Sequence, residues 1–253
     1  MEKKPELGDD LLLGRRAVRE ALRAGRTLRR IAAARGAESL TELRGLAREF
    51  GVVWEEVDRS WLDRLAGGQA HQGVVAWAAA RGYVPLEALL AAARERGEPP
   101  LLLALDGVQD PRNLGALLRT AEAAGVHGVI IPQRRSCGLT GAVVKAAAGA
   151  EEYVPVSAVV NLVRTLRELE DAGLWAVGAD PAGKRSYTEV DLRPPTVLVL
   201  GGEGKGLSRL VREGCDLLVR IPMRGRLASL NVSVAGALLM YEAVRQRAGT
   251  TNP

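Results

Sequence analysis

The sequence is short of several residue types, and each shortage narrows what it can do. Among its 253 residues the cysteines are Cys137 and Cys215, with no CxxC pair and no histidine beside either. That speaks against a disulfide scaffold and against a zinc site, and suits reduced thiols in a cytosolic protein. No apolar run approaches the ~20 residues that a membrane helix needs. The opening MEKKPELGDD is charged and does not read as a signal peptide. The expectation is a cytoplasmic protein with neither a membrane nor a metal partner. Lysine is scarce too. Of 35 cations, Lys3, Lys4, Lys145, Lys184 and Lys205 are lysines and the rest arginines. Arginine forks onto phosphate and stacks on bases, although a GC-rich genome would give the same bias.

What remains is an ordinary globular balance, 47% hydrophobic and 26% charged, with a formal charge of +5. A modest basic excess is compatible with nucleic acid without requiring it. Residues 11–25, LLLGRRAVREALRAG, carry apolar positions at helical spacing and stop at Gly25. LRRIAAA (28–34), VVWEEVD (52–58) and QGVVAWAAA (72–80) read as strands, with helices at 38–51 and 60–68 between them. This predicts a small α/β domain over 1–82. A linker over 83–99 carries one helix between prolines. From 100 to 248 short apolar runs (LLLALDG, GVIIP, YVPVS, LWAVGAD, TVLVLGGEG, LLVRIPM) alternate with helical stretches. That pattern predicts an α/β domain with a mostly parallel sheet covered by helices on both faces. The end, QRAGTTNP, reads as a frayed tail.

Ligands of such sheets sit beyond the carboxyl ends of the strands, and three strand ends carry unusual residues. In LDGVQDPRNLGALLRTAEAAG (105–125), Asn113 is placed to cap the following helix and Arg119 projects from its second turn. They make either a capped helix with one solvated arginine or a phosphate grip. In TVLVLGGEGKGLS (196–208) glycines follow a strand. Lys205 is followed by Gly206, so this is no Walker A loop, and the Gly202–Gly204–Gly206 spacing is wrong for a dinucleotide fingerprint. Glu203 would repel a pyrophosphate. A tight structural turn, or a site for a cationic or hydroxyl-rich ligand, both fit. In IPMRGRLASLNVSVAGALLMYEAV (221–244), Ser229, Asn231 and Ser233 enter the last helix. Ser229 alone suffices as an N-cap, so the other polar groups need a ligand or a neighbouring turn.

Three stretches, NLGALLRTA (113–121), LGGEGKGL (200–207) and IPMRGRLASLNVSVA (221–235), resemble the signature motifs of the SpoU/TrmH branch of the SPOUT RNA ribose 2′-O-methyltransferases. The stretches at 14–22 and 71–76 resemble that family's small ribosomal-protein-like RNA-binding domain. The resemblance is strongest, through DGVQDPRNLG (106–115), to members that methylate a guanosine ribose in large-subunit ribosomal RNA. It implies a deep C-terminal trefoil knot, S-adenosylmethionine as cofactor, and a homodimer with the site at the subunit interface. It assigns cofactor contacts to Gly201, Ile221 and Leu230. It assigns catalytic or substrate roles to Asn113, Arg119, Glu203, Ser229 and Asn231. Arg15, Arg16, Arg29, Arg30, Arg224 and Arg226 are then candidates for RNA phosphates, a solvated surface being the alternative. For His71 a structural hydrogen bond is the plainer expectation than an RNA contact.

The family is usually described with this arginine as general base. A guanidinium is charged at neutral pH, and removing its proton would cost more than ~7 kcal/mol. The expectation is a cationic Arg119 that clamps a phosphate and stabilises the developing alkoxide. Competing readings are a transfer-RNA enzyme of the same family and a non-catalytic RNA-binding or ribosome-assembly protein. Removing residues 1–82 is expected to spare cofactor binding and to abolish activity on RNA.

Overall fold

The structure is a computed structural model and describes residues 9–37, 40–79, 82–226 and 228–248. The last residues of the expected tail lie outside them. Two compact units are present. The first comprises the described residues up to Gly82 together with Leu139–Tyr153, and the second comprises Tyr83–Gly138 with the chain from Val154 onward.

In the first unit, β1 (Asp9–Leu13), β2 (Leu28–Ala34), β3 (Val53–Val57) and β4 (Val74–Ala79) form one sheet in the order β1-β4-β2-β3. β4 runs antiparallel to both its neighbours, and β2 is parallel to β3. Side chains alternate across a strand, and this sheet uses both faces. Ile31, Ala33, Val74, Ala76 and Ala78 pack with Val18 and Leu22 of α1 (Arg15–Arg23) and Leu43 of α2 (Thr41–Glu49). Ala32, Val75 and Trp77 point the other way, onto Leu62 of α3 (Arg59–Leu65). β1 was not foreseen, because residues 11–25 read as one helix. Gly14 breaks that run with φ +96°, a backbone angle an L side chain rarely takes. Gln72 accepts the Arg15 amide, a free donor at the start of α1, at 3.1 Å. Helix α6 (Gly141–Ala147) adds Val144 to this core. Arg26 and Glu152 form a buried ion pair at 2.7 Å, their side chains 7% and 3% exposed.

In the second unit, seven strands run in the order β7-β6-β5-β10-β8-β11-β9. They are β5 (Leu101–Asp106), β6 (Gly128–Pro132), β7 (Val156–Val159), β8 (Trp175–Ala179), β9 (Arg185–Ser186), β10 (Thr196–Gly201) and β11 (Leu217–Arg220). Every pairing is parallel, so their carboxyl ends share one edge. Their sequences are continuous apolar runs because both faces are covered. On one side lie α4 (Leu86–Arg96), α7 (Leu162–Asp171) and α8 (Arg209–Glu213). On the other, α5 (Pro111–Ala123) packs with α9 (Val232–Ala248). The helix expected in a linker is α4, whose Leu89 is fully buried against Gly128. β10 enters between β5 and β8, two strands earlier in the chain. The two-residue β9 was too short to foresee.

Candidate functional site

The chain leaves β10 through Gly201–Gly206, and the glycines have two distinct jobs. A Cβ on Gly201 would lie 2.0 Å from the Gly206 carbonyl carbon, and one on Gly202 would lie 2.2 Å from the Gly107 oxygen. Both positions exclude a side chain because backbone occupies the space. Gly204 and Gly206 instead stand in open space at φ +77° and +64°, where glycine is the residue that turns without strain. The loop closes on itself, with the Gly206 amide donating to the Gly202 oxygen at 3.1 Å. Asp106 at the end of β5 accepts the Ser208 amide at 2.7 Å and so fixes the far side of the loop.

Beside this loop a cavity of about 1060 Å³ opens at the carboxyl ends of β8, β10 and β11. Gly201, Ile221 and Leu230 line it, as do Glu203, Ser229 and Asn231. So does Arg224, whereas Arg226 is exposed outside the lining. Sequence reasoning missed the far wall, Asp180 with Arg212 and Arg220. Asp180 is buried and pairs with Arg212 at 2.8 Å. Arg220 donates to the carbonyls of Gly183 and Lys184 and holds the same loop. No pattern marks these residues, since they meet only through the pairing of β8 with β11.

The polar groups ahead of α9 form a directional chain. Glu203 can only accept, so the Asn113 amide turns its nitrogen toward it, at 2.5 Å. The Asn113 oxygen then accepts from the Asn231 nitrogen at 3.0 Å. The Asn231 oxygen is left to accept the Ser233 amide at 2.8 Å and its hydroxyl at 2.6 Å. Asn231, not Ser229, is therefore the cap of α9. Ser229 makes no hydrogen bond among the described residues and is exposed in the cavity wall. Asn113 is no cap either. Asp110 caps α5 by accepting the Arg112 amide, Pro111 takes the first helical position, and Asn113 is buried in the first turn.

Because α5 starts earlier than expected, Arg119 lies in its third turn. Six residues at ~100° each set it well round the helix from Asn113. It is exposed, pairs with no carboxylate among the described residues, and is absent from the cavity lining. The structure therefore gathers Asn113, Glu203, Ser229 and Asn231 and leaves Arg119 apart. On α9 a row of apolar side chains is exposed, with Val234 at 48%, Leu238 at 37% and Tyr241 at 50%.

In the first unit, Arg16 and Arg29 are exposed. Arg15 is held by the Gln72 carbonyl at 3.2 Å, and Arg30 lies 3.9 Å over the Trp77 ring and pairs with Glu55. His71 is buried. Its Nδ1 accepts the Gly73 amide at 3.2 Å, so Nε2 carries the proton and donates to Asp63 at 2.8 Å. That is the structural hydrogen bond expected. Cys215 is half-buried, and burial pushes its thiol up to about 12, so it stays protonated at neutral pH.

Residues 100–241 match the SpoU rRNA methylase family, and residues 11–84 match the substrate-binding domain of RNA 2′-O ribose methyltransferases. The chain belongs to the SpoU/TrmH family of RNA methyltransferases. Among its SpoU/TrmH relatives, Bacillus subtilis YacO, assigned to the TrmH family of tRNA/rRNA methyltransferases, is 45% identical over 94% of this chain and 96% of its own. A tRNA/rRNA methyltransferase of Mycolicibacterium smegmatis is 46% identical over 94% of this chain and 77% of its own. Among solved structures, the SpoU methyltransferase AviRb of Streptomyces viridochromogenes in complex with AdoMet superposes with a TM-score of 0.81 at 28% identity, covering 95% and 91% of the two chains. The AdoMet-bound rRNA methyltransferase of Sinorhizobium meliloti has a TM-score of 0.79 at 27% identity, covering 95% and 88%. The A. aeolicus TrmH/SpoU tRNA modifying enzyme, with a TM-score of 0.55 at 33% identity, covers 65% of this chain and 85% of its own.

Proposed function

We propose that this SpoU/TrmH family member transfers a methyl group from S-adenosylmethionine to the ribose 2′-hydroxyl of a guanosine in 23S ribosomal RNA, as an RlmB-type enzyme. The observation that carries the reading is the cavity at the end of β10 and β11, walled by the glycine loop and by the Glu203–Asn113–Asn231 chain. Its size suits a nucleoside joined to an amino acid. Its lining suits the same ligand. Glu203 favours a sulfonium, and Ile221, Leu230 and Val219 supply apolar surface. AviRb and the S. meliloti enzyme, both AdoMet-bound, support the assignment of the cofactor.

When bound, S-adenosylmethionine supplies a methyl carbon already made electrophilic by the sulfonium. The chain's task is to hold the 2′-oxygen in line with that carbon, an alignment that contributes as much as ~7–11 kcal/mol in the best intramolecular cases. Ser229, exposed in the cavity wall with its hydroxyl unspent, orients the ribose hydroxyl. Asn231 holds the loop through the Ser233 cap. Gly201, Ile221 and Leu230 contact the cofactor, and Arg224 and Arg226 receive RNA phosphates with Arg16 and Arg29 of the first unit.

Arg119 acts from a second copy of the chain. It does not line the cavity of its own chain, and the exposed α9 row of Val234, Leu238 and Tyr241 gives a homodimer its apolar face. There it stays cationic, clamps a phosphate, and stabilises the developing alkoxide, while the proton leaves to a phosphate oxygen or water. In the same reading the insertion of β10 between β5 and β8 belongs to a trefoil knot, and the protein works in the cytoplasm. Ribosomal RNA is favoured over transfer RNA by coverage. The rRNA methyltransferase of S. meliloti spans 95% of this chain, first unit included, and the tRNA modifying enzyme of A. aeolicus spans 65%. Mass-spectrometric mapping of ribose methylation, in RNA from cells with and without this protein, tests it. One 2′-O-methylguanosine disappears from 23S RNA on this reading; its disappearance from transfer RNA instead would overturn the substrate.

A further inference from the structure

Among the exposed cations that follow the carboxyl ends of the second unit's strands, Lys184 follows β8, and three further groups stand beyond β11, β10 and β6. Arg224 and Arg226 follow β11, and Lys205 follows β10. The third group, Arg134 and Arg135, follows β6, and sequence reasoning passed over it. Both are exposed, and neither meets a carboxylate among the described residues. This contrasts with Arg112, Arg164, Arg193, Arg209 and Arg245 of the same unit, each neutralised by an acid one to four residues away.

The segment carrying the pair is built, not slack. The Cys137 amide donates to the Val108 oxygen at 2.9 Å, and the Ser136 hydroxyl donates to the same oxygen at 3.4 Å. Arg135 has φ +62°, a conformation that side chains other than glycine adopt uncommonly and at a cost. Its carbonyl oxygen lies 3.7 Å from where a Gly107 Cβ would stand, and the oxygen of Gly107 in turn fills the space beneath Gly202. The turns after β6, β5 and β10 therefore touch in sequence, and the last is the wall of the cavity. In the sheet β6 is two strands from β10, about 10 Å at ordinary strand spacing.

We propose that Arg134 and Arg135 form a phosphate-binding ledge that carries the RNA strand away from the cavity, across the ends of β5 and β6. The assignment rests on RNA being the substrate. It places the strand over the ends of β5 and β6, on the β7 side of the cavity. On the opposite rim Arg212 is spent on Asp180 and Arg220 on the carbonyls of Gly183 and Lys184, while the side chains of Lys184 and Arg185 stay exposed.

The test compares the full-length wild type with Arg134→Ala/Arg135→Ala and Arg134→Lys/Arg135→Lys, using a 23S RNA transcript. Filter binding over a salt series reads the slope of log K against log salt, and methylation assays read KM and kcat. The alanine pair should raise KM on the order of tenfold with kcat unchanged, and should lower the slope by about 1.4 for two contacts to a single strand. Cofactor affinity by calorimetry should not move, and the lysine pair should keep most of the slope. An unchanged slope and KM would overturn the ledge. So would lost cofactor affinity or a lowered melting point, because the segment would then be a brace. A wild type that methylates no RNA, but whose RNA binding loses slope in the alanine pair, would refute the methyl-transfer reading and support this one.

Discussion

The orientation of the Glu203–Asn113–Asn231 chain can be reversed by exchanging one atom at each of two positions. Asn113→Asp puts a carboxylate oxygen where the amide nitrogen now donates to Glu203 at 2.5 Å. Two full charges ~3 Å apart would repel by about 5 kcal/mol at an effective dielectric of 20. Glu203 is exposed, so water screens much of that. The expected loss is about 1.5–3 kcal/mol, the range for a hydrogen bond to a charged group. At ~2–4 °C per kcal/mol for a chain of this size, the melting point falls by about 3–12 °C. The deficit depends on pH with a defined sign. Near pH 5 a proton shared by the two carboxylates restores the bridge, and by pH 8 it is gone. The gap to wild type therefore widens as pH rises. The double variant Asn113→Asp/Glu203→Gln exchanges donor and acceptor and should recover most of the stability, because the new carboxylate still accepts from Asn231. The assay is thermal unfolding of the wild type, both single variants and the double variant at pH 5 and pH 8. A deficit that ignores pH, or a double variant worse than either single one, would refute the directional chain.

Three further outcomes follow from the same geometry. Gly201→Ala must push the Gly206 carbonyl from 2.0 Å to a normal contact; it should cost about 1–3 kcal/mol and weaken cofactor binding at least tenfold by calorimetry, while Gly225→Ala, in open space, should change neither. Mixed dimers of Arg119→Ala and Ser229→Ala chains should regain activity that neither variant has alone, because one of the two sites is then intact; recovery absent from mixtures that subunit exchange shows to be hybrid would place Arg119 in its own chain's site. For His127, burial first and the nearby Arg96 charge second push the imidazole below its ordinary value, with Glu98 opposing. The unfolded chain thus binds the proton more readily, so stability is full above pH ~6.5 and falls as pH drops toward the folded value, by at most ~1.4 kcal/mol per unit. His127→Gln, which can still accept from Leu101 and donate to Glu98, should flatten that acid slope in thermal melts.

Apolar runs and their spacing made the parallel sheet of the second unit legible, because strands covered on both faces leave no alternation to misread. The motif residues were legible in the same way, and six of them do line one cavity: Gly201, Glu203, Ile221, Ser229, Leu230 and Asn231. Their local duties were less so. Caps depend on where a helix starts. Moving the start of α5 back to Pro111 took Asn113 from the end of a helix into its first turn. Asp180 and Arg212 are 32 positions apart and become partners only through strand order. Arg134 and Arg135 drew no reading from the sequence, since the contacts that fix them run through backbone atoms that no residue type announces.

The attachment of Leu139–Tyr153 to the first unit bears on the order in which the protein can be made. The strands and helices up to Gly82 leave the ribosome first, but Val144 and the Glu152 partner of Arg26 arrive roughly 70 residues later, about 4–14 s at ordinary translation rates. Until then Arg26 waits for its acid and the nascent sheet for its last apolar cover. An N-terminal fragment ending at Gly82 would stay in that unfinished condition for good, sticky and short of a counter-ion, however well its own four strands pair.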